Sequence, residues 1–169
     1  MNCRRGPWVW LWVAALLALA PAGPPALAAG AATPADQTLS PALRAKLVQL
    51  ISKAGHDREI PAPIASALGL TAAGGAWPER QFAFQWNGAG TLHAVSMNRG
   101  PGQDIVLTVR GPAAVSVFRA RADGTLDKGV NLFLQTNQAM PMPAAEAQAE
   151  FTAELRFWAA NIDAVMDQN

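Results

Sequence analysis

Two histidines and one short charged run are the residues in this chain best suited to proton chemistry. His56-Asp57-Arg58-Glu59 sets a base, two carboxylates and a cation in four consecutive positions just after Gly55. Such a set could serve as a general-base loop or part of a metal site, although a charged loop following a helix is its commoner use. His93 falls in an alternating apolar stretch and is expected beside Phe84 on one face of a strand. There a histidine hydrogen-bonded to a neighbour is the plainer reading and a pocket residue the functional one. A zinc centre asks for three or four ligands, which two distant histidines and a sole cysteine, Cys3, do not supply. Ser40, Ser52, Ser66, Ser96 and Ser116 have no Gly-x-Ser-x-Gly setting, and none adjoins a histidine. Gly74-Gly75 and Gly100-Pro101-Gly102 lack the lysine and the strand–loop–helix context of a phosphate cradle, so they read as turns. The residues therefore assign no catalytic set, no metal site and no cofactor.

The elements that must position these residues follow from periodicity. Ser40-Pro41 is a cap followed by proline at the first helical position, where its missing N–H costs nothing. Leu43, Leu47, Leu50, Ile51 and Ala54 recur at helical spacing until Gly55. Pro61-Ala62-Pro63 introduces a short helical turn over 64–68. From Arg80 the period changes to two: Phe82, Phe84 and Trp86 alternate with Gln81, Ala83 and Gln85. Further strands are predicted over 92–97, 105–110, 114–121 and 130–135, separated by Gly, Pro, Asn and Asp turn formers. Connections this short favour antiparallel neighbours. A long C-terminal helix from Pro143 carries Phe151, Leu155, Trp158, Ile162 and Val165 on one stripe. The expected fold is α+β: a five-stranded antiparallel meander covered on one face by the C-terminal helix, with an N-terminal helix. Keeping apolar residues together predicts that Val115, Val117, Val130, Leu132 and Leu134 share the covered face with Phe82, Phe84, His93, Ile105 and Leu107. The reverse face would be partly covered by the first helix or used for binding.

That topology gathers cations. Arg80, Arg99, Arg119, Arg121 and Lys128 are expected at one edge of the sheet, and Arg99, Arg119 and Arg121 form a candidate anion site because guanidinium forks suit carboxylate or phosphate. Glu79, Asp104, Asp123 and Asp127 fall at the same edge, so a solvated, self-neutralised rim is the competing reading. Trp77, in a glycine-rich loop before Pro78, is a candidate stacking platform or a plug at the edge of the core. Arg99, Arg119, Arg121, Trp77 and His93 are thus the candidate binding residues.

Location is read from the start of the chain. A basic opening with Arg4 and Arg5, an apolar run over 8–20 and Ala26-Leu27-Ala28 have the form of a secretory signal peptide over 1–28. Pro21, Pro24 and Pro25 cut the run short of the roughly 20 residues of a membrane anchor. A flexible leader is expected over 29–38 and a single α+β domain over 39–169. Cleavage removes Cys3, and with it disulfides and thiol chemistry. It also removes two of the 13 basic residues and leaves the 12 acidic ones slightly in excess. Such a balance gives no general attraction to nucleic acid or anionic lipid, and no stable membrane insertion is expected after cleavage. The expected function is a periplasmic or extracellular binding or protein-interaction module of the cell envelope, rather than an enzyme. Its partner would be an envelope protein or a small anionic ligand. The alternative is a small periplasmic hydrolase using His93 or His56 with a nearby carboxylate.

Overall fold

The computed structural model describes residues 37–70, 78–85, 91–98 and 104–169. The signal-peptide segment, Trp77 and Arg99 lie outside them. Helix α1, Pro41–Ala54, opens as its sequence demands: the Ser40 hydroxyl accepts the Leu43 N–H at 3.2 Å. Strand β1, His56–Glu59, and the two-turn helix α2, Ala62–Leu68, follow. Gly69 closes α2 in the left-handed conformation at φ 70°, where a side chain would be strained. Then come β2 (Pro78–Gln85), β3 (Leu92–Asn98), β4 (Ile105–Arg110), β5 (Ala114–Ala120), β6 (Leu126–Phe133), β7 (Gln138–Pro141) and helix α3, Ala144–Asp167.

The architecture is α+β with an antiparallel sheet and a C-terminal helix, but the sheet has seven strands rather than the expected five. They run in sequence order from β1 to β7, each antiparallel to the next. The two additional strands are the edges. All four residues of β1 are exposed, so the segment expected to be a charged loop carries no alternating burial to betray it. Strand β7 is equally short and ends in proline, which an edge tolerates. Strand β6 also begins at Leu126 rather than 130 and ends at Phe133, because 134–137 form the turn in which Asn137 takes φ 53°.

Register overturns one expectation about the faces. Leu107 pairs with Phe118, and Thr108 with Val117. Phe118 and Ala120 therefore join Phe82, Val95, Ile105 and Leu107 beneath α3, while Val115 and Val117 turn to the other face. Both phases of β5 are apolar, so alternation alone could not choose between them. The tight turn closed by the Gly111 N–H donating to the Ala114 carbonyl at 2.9 Å makes the choice. One core thus lies between the sheet, α3 and α1, centred on the fully buried Phe118, Phe151 and Trp158. A second lies on the reverse face, where Ile64 and Leu68 of α2 pack with Val106, Val115, Val117, Val130 and Leu132. The reverse face is covered in part by α2, and α1 lies on the α3 side.

Candidate functional site

Helix α2 is only seven residues long and packs over β6 and β7. It packs on Val106 of β4, but its core includes no residue of β2 or β3, and towards those strands the reverse face opens into a cavity of about 270 Å³. The floor follows from the register. Ala83 of β2 pairs with Ala94 of β3, and Ala94 with Thr108 of β4, so small side chains meet where larger ones would fill the space. Val106 and Val117 continue the floor, and Ile60 and Ile64 form the wall beneath α2. The interior is thus chiefly apolar, with polar groups at its two ends, the usual composition of a small-ligand site.

The ends differ in charge. At the β1–β2 end, pairing of β1 with β2 sets Arg58 opposite Glu79. The Arg58 Nη1 donates to the Gln81 Oε1, and its Nε lies 3.7 Å from the Glu79 Oε1. The Glu79 side chain is only 4% exposed. Burial pushes its pKa above the ordinary 4.5, while the neighbouring Ser96 hydroxyl and the Arg58 charge pull the other way. At the far end stands Arg110, the last residue of β4, exposed and paired in register with Leu92 and Val115. Among the described residues no carboxylate pairs with it, although its side chain lines the cavity.

The sequence-derived candidates sit elsewhere. His93 faces α3, on the opposite side of the sheet from the cavity. Its Nδ1 lies 3.0 and 3.1 Å from the two Glu154 carboxylate oxygens. The Phe157 ring stacks on the imidazole with centroids 3.7 Å apart. His93 and Glu154 are both buried, so this histidine–carboxylate pair lies within the packed core. His56 stands exposed on edge strand β1.

Arg119 and Arg121 do come together, and carboxylates hold both. Arg119 donates from Nε and Nη2 to the Asp104 Oδ2 at 3.0 and 2.7 Å, and its Nη1 is 3.4 Å from Asp127. Arg121 reaches the other Asp127 oxygen at 2.6 Å. Arg80 is occupied at the end of α1, donating to the Ile51 carbonyl, which also accepts the Gly55 N–H, and to the Ser52 carbonyl of the last turn. Trp77 and Arg99 lie outside the described residues. Among the described residues no group of three or more His, Cys, Asp or Glu could hold a metal ion, and no helix is long and apolar enough to cross a membrane.

Sequence reasoning missed the cavity residues. Arg58 and Glu79 meet only through the pairing of a strand with no burial pattern, and Arg110 resembles any cation beside a Gly-Pro turn. The Ala83–Ala94 pair was the available signal: two small residues where strands usually carry branched or aromatic ones. Compared with known proteins, the chain matches no family model, no curated protein and no solved structure.

Proposed function

We propose that this chain is an exported binding module that takes a small, largely apolar ligand in the cavity between α2 and the sheet. The observation that carries the reading is the half-covered reverse face: an apolar hollow of about 270 Å³, bounded at both ends by polar groups. Its size is just under the roughly 300–1,000 Å³ of typical small-molecule sites, which suits a short ligand. Export rests on the signal-peptide pattern and places the ligand in the periplasm or outside the cell. The test is fluorescence enhancement of the neutral probe N-phenyl-1-naphthylamine. Ala83 is exposed at the floor, so Ala83→Phe fills the hollow without entering either core. The parent should bind the probe, and the variant should lose about tenfold or more in affinity at an unchanged melting temperature. Equal binding by both proteins would overturn the reading.

The His93–Glu154 contact favours a second reading, a small hydrolase in which the carboxylate orients the imidazole. It requires hydrolysis of an activated ester such as p-nitrophenyl acetate by the folded chain, lost in His93→Gln. The packing of Phe157 against the ring supports the structural role instead.

A further inference from the structure

The two ends of the cavity offer different electrostatics to a ligand, and this difference points to its chemical class. At the β1–β2 end the Arg58 guanidinium is already engaged by Gln81 and faces Glu79. An anionic group placed there would compete for donors in use and approach another carboxyl group. At the other end Arg110 brings a guanidinium to the rim of the same apolar hollow, with no carboxylate partner among the described residues. Arg119 and Arg121, by contrast, are held by Asp104 and Asp127.

Taking the cavity as the binding site proposed above, we propose that its ligand is a single-chain amphipathic anion, with its carboxylate on Arg110 and its apolar chain along the Ala94–Val117 floor. The planar fork of arginine presents two parallel N–H donors to a carboxylate, and such charge-assisted bonds are about twice as strong as neutral ones. Arg110 is exposed, so the carboxylate keeps part of its hydration and its desolvation cost stays small. The chain runs from Leu92 and Val115 beside Arg110 towards Val106 and Ile60, where only apolar contact is needed. Neither end contributes enough alone: the hollow gives affinity through burial, and Arg110 fixes orientation.

The experiment compares octanoate, 1-octanol and octylammonium as displacers of the neutral probe from the parent, Arg110→Gln and Ala83→Phe proteins. Octanoate should displace the probe from the parent at concentrations about tenfold below the other two. Arg110→Gln should remove that advantage while octanol displacement stays the same, and added salt should weaken octanoate alone. If octanol matches octanoate in the parent, or Arg110→Gln leaves octanoate unchanged, the head-group inference fails while the cavity reading stands. If the parent does not bind the probe and none of the three alkyl compounds shifts its melting temperature, the cavity reading fails and the inference falls with it.

Discussion

Glu79 is a carboxyl group that the fold moves away from water and then only partly compensates. Burial raises its pKa above 4.5 in the native state, so folding favours the protonated form. The stability this confers is complete below pH 4.5 and is lost as pH rises through the elevated native value. Urea midpoints measured from pH 4 to 8 should therefore contain a declining contribution in the parent that is missing in Glu79→Gln; identical pH profiles would show that Arg58 and Ser96 offset the burial. The core pair His93–Glu154 makes a different prediction. Removing one partner leaves the other buried without its hydrogen bond, at a cost of about 1–3 kcal/mol beyond lost packing. His93→Phe and Glu154→Leu should each destabilise, and the double variant should lose less than the two single losses together, measured by denaturant unfolding in a double-mutant cycle. Strict additivity would mean that the 3.0 Å contact contributes nothing. At this scale the sequence was legible where partners are local or lie on adjacent strands: the Ser40 cap and the neighbouring positions of Phe84 and His93 could both be read directly. Glu154 is 61 residues from His93, and no periodicity announces so distant a partner.

Among the elements, helix α3 was legible because its apolar stripe persists over many turns, whereas β1 and β7 were not, because edge strands need not bury a face. Strand β5 shows the limit of alternation most clearly: with apolar residues in both phases, its orientation depends on turn geometry and on what each face meets. Under α3 it lies beside a close approach of the sheet to the helix. Gly129 of β6 pairs with Phe118, and a Cβ on Gly129 would lie 2.7 Å from the Ala147 Cβ and 3.2 Å from the Met142 Sδ. The glycine therefore admits the first turns of α3, and the large Phe118 ring beside it stands 6.1 Å from Phe151. Gly129→Ala should push the helix outward and cost about 1–3 kcal/mol, as overpacking of a dense core does. Adding Ala147→Gly removes the colliding methyl but introduces a helical glycine worth about 1 kcal/mol, so it should restore only part of the loss. Thermal unfolding of the three proteins checks this. If Gly129→Ala melts with the parent, the helix does not sit as closely on β6 as these distances require.

At the scale of the whole molecule, a single sheet separates two apolar layers, and residues 37–39 are tied to the α3 side. Leu39 is only 2% exposed and belongs to the same core as Phe118 and Trp158. Its N–H donates to the Gly124 carbonyl at 2.8 Å, in a turn where Gly124 takes φ 85° and where any Cβ would lie 2.2 Å from the Leu39 oxygen. One residue pair earlier, the Gln37 carbonyl accepts from the Gln148 side chain of α3 at 3.0 Å. These contacts hold residues 37–39 against the core, and the proposed export must leave them intact. Processing after Ala28 would remove the apolar segment and leave every one of these contacts in place. Intact mass of the exported protein should accordingly give Ala29 as its first residue, and a chain begun at Gln37 should unfold at the same denaturant midpoint as one begun at Ala29. Beginning at Pro41 instead discards Leu39 together with the Ser40 cap. The expected loss is roughly 3–5 kcal/mol, combining a large-to-small core deletion with about 1 kcal/mol for the missing cap. A mature species that retains residues 8–20 would overturn the export proposal. A chain from Pro41 as stable as one from Gln37 would show that Leu39 does not anchor the core.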